Sequence, residues 1–177
     1  MPISYFPTRI KTIANIHEHL YKSNTFSRLE FADSISQLIT NIVNTFGFAT
    51  IHLDFDCEPV QLNINQAIPC SLIINEIITN ILKHAFLGKP SEAISTALTQ
   101  KNNKVRVTIR DNGTAYDGDL NDLTSDSILE IIGVLADQLN AEYYYSTTDK
   151  HNSFTLEFVK KTSPATEIYL YKTGDDA

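Results

Sequence analysis

Apolar positions change period several times along this chain, and the changes divide it into elements. Ile10, Ile13, Ile16 and Leu20 recur at helical spacing and predict a helix from about Arg9 to Lys22 with a narrow apolar stripe. Ser23-Asn-Thr-Phe-Ser27 interrupts the pattern with capping residues. A second helix is expected from about Phe31 to Phe46, with Ile35, Leu38, Ile39, Ile42, Val43 and Phe46 inward and Gly47 as its stop. The period then falls to two. Thr50 to Phe55 alternates as a strand, Glu58-Pro59 turns, and Val60, Leu62 and Ile64 alternate as a second, short strand.

Helical spacing returns between Ser71 and Phe86, where Ile74, Ile77, Ile78, Ile81 and Ala85 form one broad stripe. This helix is expected to start near Pro69, a residue suited to a first turn, and to close at Gly88-Lys-Pro90. Ala93 to Thr99 and Lys104 to Arg110 read as a hairpin, with Ile94, Thr96 and Leu98 on one side and Val105, Val107 and Ile109 on the other. Residues 114 to 126 are polar and acidic and read as a loop. Ser127 to Leu139 reads as a helix with Ile128, Ile131, Ile132 and Leu135 inward; Glu142 to Ser146 and Ser153 to Lys160 complete a sheet. Glu167 to Tyr171 could add an edge strand, and residues 174–177 are expected to be disordered. Helices and mixed strands in this order predict an α+β sandwich, one sheet covered on one face by helices.

Composition narrows the function. Net charge is −7 with no basic run, which argues against nucleic acid or an anionic membrane as the main partner. No apolar run approaches the roughly 20 residues that span a bilayer, and no signal peptide is evident, so a cytoplasmic setting is expected. Cys57 and Cys70 have neither zinc-ligand spacing nor a disulfide framework and read as reduced thiols.

The chemistry concentrates on the Ser71–Phe86 helix. Glu76, Asn80, Lys83 and His84 share the face opposite the apolar stripe. A carboxylate, an amide, an amine and an imidazole in a line suit a metal-chelated polyphosphate: oxygen for a hard cation, an amine for phosphate, a carboxylate to orient water. The competing reading is an ordinary solvated helix face.

The string Asn75-Glu76-x-x-x-Asn80-x-x-Lys83-His84-Ala85-Phe86 closely resembles the N box of sensor histidine kinases, above all the subfamily whose box reads N-E-L-x-x-N-A-x-K-H-A-F. That family shares the Bergerat ATP-binding fold with gyrase, the MutL repair proteins and the Hsp-type chaperone ATPases. The resemblance covers roughly residues 9 to 159. It implies that Asn80 holds magnesium, Glu76 lies beside the metal or its water, and Lys83 and His84 meet phosphates. Asp111-Asn-Gly113 resembles the first half of the family's D-x-G-x-G box, which implies that Asp111 accepts from the adenine amine while Gly113 lets backbone approach the base; by itself Asp-Asn-Gly is also a common turn. Arg9 to Ser23 resembles the second helix of the dimerisation and phosphotransfer hairpin, which implies a homodimer. The first helix, with its acceptor histidine, has no counterpart. His17-Glu18 superficially matches an acceptor histidine followed by an acid, but a structural helix-face histidine is the preferred reading.

Other boxes depart from the family. The second glycine of D-x-G-x-G is Ala115; Ile128 stands where a glycine opens the next helix; and G-T-x-F becomes His151-Asn-Ser-Phe154. Glycines at a helix start let backbone amides cradle phosphate, and a β-branched Ile removes that permissiveness. Three parts are expected: a helical segment over 1–46, an ATP-binding domain over 47–160 and a tail over 161–177. The expected function is the ATP- and magnesium-binding domain of a two-component histidine kinase, partial or degenerate, working with a response regulator receiver domain. The alternative is a non-catalytic module that keeps the fold and binds a signalling partner.

Overall fold

The computed structural model describes residues 29–47, 50–86, 92–114, 126–148 and 151–161. The helix expected over 9–22, His17, Ala115, most of the acidic loop and the tail from 162 lie outside them. In chain order the elements are β1 (Leu29–Glu30), α1 (Phe31–Thr45), β2 (His52–Cys57), β3 (Gln61–Leu62), α2 (Ile64–His84), β4 (Ala93–Lys101), β5 (Lys104–Asp111), α3 (Asp126–Leu139), β6 (Glu142–Thr147) and β7 (Asn152–Val159).

Five strands form one mixed sheet in the order β2-β4-β5-β7-β6. β2 runs parallel to β4, and the remaining pairs are antiparallel. Alternation decides which face is buried. Ile94 and Leu98 on β4, Val105, Val107 and Ile109 on β5, and Phe154, Leu156 and Phe158 on β7 are all buried. The register sets Val107 between Leu98 and Leu156, and Ile109 between Thr96 and Phe154, so both sides of the hairpin point to the helices. Each such side chain contributes about 1.5–3 kcal/mol by leaving water. Tyr145 adds a tilted ring contact to Phe154, centroids 4.9 Å apart.

α1 buries Phe31, Ile35, Leu38, Ile39, Ile42 and Val43, as its period predicts. It ends at Gly47, whose φ of 78° lies in the left-handed region that glycine adopts without strain. Its entry is held by β1, which pairs with β3, and by Phe31 N–H donating to Val60 O at 2.8 Å.

α2 departs from expectation at both ends. It begins at Ile64, not near Pro69, so Ile64 belongs to the helix and not to the preceding strand. The start is set by Asn63, whose side chain accepts from Gln66 N–H at 3.0 Å, an N-cap. Gln66 is buried and reaches out in turn: its Nε2 donates to Val159 O and its Oε1 accepts from Lys161 N–H, both at 2.8 Å. Pro69 therefore lies inside the helix, in its second turn. The helix ends at His84, before the Gly88-Lys-Pro90 stretch, which lies outside the described residues. Cys70 is buried within α2 and Cys57 is half-buried on β2; both are free thiols, and burial pushes the Cys70 thiol up.

Candidate functional site

The polar face of α2 is solvated only toward its C-terminal end. Ile73, Ile74, Ile77, Ile78 and Leu82 fill the apolar side, but Asn75 and Glu76 are also buried, at 1% and 2% exposure. Ile81, counted on the apolar stripe, is only half-buried. A buried carboxylate is costly without hydrogen-bond donors; Asn75 Nδ2 donates to Glu76 Oε1 at 3.2 Å. One turn on, Asn80 is half-buried, and its Oδ1 is fully buried without a hydrogen-bond partner among the described residues. Lys83 is half-buried, and desolvation pushes its ammonium below the ordinary lysine value. His84 is exposed. The helix face thus runs from a buried carboxylate to an exposed imidazole, and polar groups emerge progressively toward the C-terminal end.

That end is stitched to β5. Ala85, the residue closing α2, accepts at its carbonyl from Thr114 N–H at 2.8 Å and from Thr114 Oγ1 at 3.3 Å. Gly113 packs against the same residue. A Cβ there would stand 2.4 Å from Ala85 Cβ, 2.6 Å from Asp111 Oδ1 and 2.7 Å from Ala85 O. The glycine is required by space alone. Its N–H donates to Asp111 Oδ1 at 2.9 Å. Asn112 closes the other side: Ala93 N–H donates to Asn112 Oδ1 at 2.8 Å. Asp111, at the end of β5, is buried at 5% exposure. The structure therefore brings Asp111 and Gly113 against the turn that follows Asn80, Lys83 and His84.

Asn152 also belongs here, and sequence reasoning missed it. Its Nδ2 donates to Asp111 Oδ1 at 2.9 Å and to Thr114 O at 3.2 Å. The signal was present as the second position of the degenerate box His151-Asn-Ser-Phe154, where only the lost glycine drew notice. His151 is engaged elsewhere, in the β6–β7 turn, where its carbonyl accepts from Thr148 N–H at 2.9 Å. The side chain of Ile128 lies outside the described residues.

Can these residues hold magnesium and a nucleotide? A hard cation takes oxygen ligands, and Asn80 Oδ1 is a buried oxygen lacking a donor among the described residues. Among the described residues no cluster of three His, Cys, Asp or Glu side chains could hold a metal alone. A metal here would thus be shared between Asn80, water and the phosphates it accompanies, as suits magnesium. Lys83, half-buried, could meet phosphate oxygens, and Asp111, held by Gly113 N–H and Asn152 Nδ2, could accept from a base. The residues fit the group.

Residues 54–156 match the family described as the histidine kinase-like ATPase domain, well over half of the chain. The chain belongs to that family. Residues 3–46, ahead of the ATPase domain, match a second family described as histidine kinase. Together they make the chain a histidine kinase ATP-binding domain with a preceding helical segment. Solved structures carry the same fold. A histidine kinase domain from the blue-light activated histidine kinase of Erythrobacter litoralis EL346 is 16% identical, with a TM-score of 0.76 over 87% of this chain and 74% of that one. A longer form of the same kinase superposes with a TM-score of 0.77 at 17% identity, over 86% of this chain, which spans 47% of its length. The Acinetobacter baumannii histidine kinase AdeS gives 0.62 at 12% identity, over 90% of this chain and 79% of that chain. No curated protein matches. Among the described residues of the ATPase domain, no helix is long and apolar enough to cross a membrane.

Proposed function

We propose that this domain binds ATP with magnesium in the angle between the end of α2 and the Asp111–Thr114 turn, and serves the nucleotide step of a two-component phosphorelay. The observation that supports this reading is Asn80 Oδ1, a buried oxygen without a donor among the described residues, one turn before a helix end pinned to Thr114. A protein tolerates such an orphan where it has a use. In this reading Asp111 accepts from the exocyclic amine of the base. Lys83 and His84 contact phosphate oxygens, and the burial that lowers the Lys83 pKa sets its ammonium where a phosphate charge is weakly screened. Glu76 orders water at the buried end of the face. The magnesium ion, when bound, would neutralise phosphate charge with Asn80 among its ligands.

The γ-phosphoryl would pass to a histidine on a helical hairpin and then to an aspartate of a response regulator receiver domain, with the segment before residue 47 mediating a homodimer. The chain alone is expected not to label itself. Ala115, Ile128 and His151 stand where the family has glycines, and phosphoryl transfer depends almost wholly on positioning and charge stabilisation. Two measurements test the reading. Thermal unfolding with Mg-ATP should shift upward by linkage, and less without magnesium. Incubation with γ-labelled ATP should leave no acid-labile, base-stable label. Label lost in His17→Gln would make His17 the acceptor and overturn the second expectation.

A further inference from the structure

Asn152 opens β7 and pairs directly with Asp111 on β5. Its carboxamide has two arms with different fates. Nδ2 spends both hydrogens on acceptors, Asp111 Oδ1 at 2.9 Å and Thr114 O at 3.2 Å. These partners fix the amide's orientation, because exchanging its nitrogen and oxygen would set oxygen against oxygen twice. Oδ1, on the other arm, is buried and has no hydrogen-bond partner among the described residues. Asp111 Oδ1 is itself committed to protein donors, Gly113 N–H and Asn152 Nδ2. The carboxylate cannot swing without breaking both.

We infer that Asn152 determines base selectivity in this site: its nitrogen holds Asp111 in place, and its unpartnered oxygen is a second acceptor beside the Asp111 carboxylate, so that the pair reads both hydrogens of an exocyclic purine amine. This rests on the nucleotide reading above. A carboxylate alone reads one N–H and leaves the amine's second hydrogen indifferent. Two acceptors on adjoining groups demand both. A 6-oxopurine in the same pose would set its oxygen against two acceptors, and a single methyl on the amine would orphan one of them.

The experiment is calorimetric titration of the full chain, in magnesium, with ATP, N6-methyl-ATP and ITP. Wild type should bind ATP about tenfold or more tightly than N6-methyl-ATP, the factor expected for one hydrogen bond of about 1.4 kcal/mol. Asn152→Ser removes the carboxamide oxygen and leaves a shorter hydroxyl, whose O–H can donate to Asp111 and whose own oxygen falls short of the carboxamide oxygen's place. It should bind ATP somewhat less tightly, but the ratio of ATP to N6-methyl-ATP should fall toward one. A residue that merely held the strand end would lower both affinities together and leave that ratio unchanged, and this result overturns the inference. So does wild type that binds ATP and N6-methyl-ATP equally, which leaves the nucleotide reading intact. Wild type that binds none of the three overturns both. Asn152→Leu provides the control for donor loss, with weaker binding of all three nucleotides.

Discussion

Replacing Asn80 by alanine should stabilise the domain and abolish its response to Mg-ATP. The carbonyl oxygen of the side chain is buried without a donor, and an unmade hydrogen bond on a buried polar atom costs about 1–3 kcal/mol. Alanine removes that atom. It also raises helix propensity in the interior of α2, by about 0.5 kcal/mol relative to asparagine. Against this stands the packing lost with a half-buried carboxamide, worth about 1 kcal/mol. The balance is about 0.5–2.5 kcal/mol of added stability for the ligand-free protein, a rise of several degrees in Tm for a domain of this size. At 100 times Kd, Mg-ATP should stabilise wild type by about 2.7 kcal/mol. The variant should lose this gain, so the order of the two melting temperatures should invert when nucleotide and magnesium are added. Differential scanning fluorimetry of both proteins with Mg-ATP, with ATP and EDTA, and without ligand provides the six melting temperatures. A variant less stable than wild type without ligand would show that Asn80 is a structural residue. A variant that keeps its magnesium-dependent shift would show that the cation lies elsewhere.

Other perturbations test other parts. Gly113→Ala forces a methyl to within 2.4–2.7 Å of Ala85 and Asp111, so overpacking and the loss of the Asp111 hydrogen bond should together cost about 2–4 kcal/mol in a urea melt; a wild-type midpoint would show that the turn is not wedged against α2. Ile78→Asp buries an unpaired carboxylate at a position with 0% exposure and should abolish cooperative unfolding, whereas a near-normal melt would reverse the assignment of helix faces. Hydrogen bonds from Lys104, and then from Arg106 and Tyr144, hold the Glu157 carboxyl at about 2, below its ordinary value of 4.5. Because the folded value is the lower one, the stabilisation is full above about pH 4.5 and lost as pH falls toward about 2. Glu157→Gln should therefore flatten the acid limb of the stability profile in that window, and an unchanged limb would count against the ion pairs.

Periodicity located the strands because one face of the sheet meets helices and the other does not, so period two is written into Ile94, Leu98, Val105, Val107 and Ile109. It located the apolar side of α2 for the same reason. It misjudged the opposite side, since a local pattern says which residues are polar and not what covers them; Asn75 and Glu76 are polar and buried. The start of α2 was hidden by Pro69, which invites a helix beginning, while the Asn63-x-x-Gln66 cap that sets the boundary sat inside an apparent strand. The stitches that build the site are non-local. Thr114 to Ala85 spans 29 residues and Asn152 to Asp111 spans 41, and no single-sequence period can encode a contact at such separations. The motif resemblance identified the participants, and the fold supplied their contacts.

β5 occupies the middle of the sheet, laddered on both edges, to β4 along one side and β7 along the other. Amides in such a strand exchange with solvent only when the whole cooperative unit opens. Asp111 ends this strand, and the turn after it ties down the residue that closes α2, since Ala85 O accepts from Thr114 N–H. In the proposed site the base-side and phosphate-side residues therefore belong to one foldon. A signal that reshapes the grip on phosphate has to pass through this stitch, and so registers at the base as well.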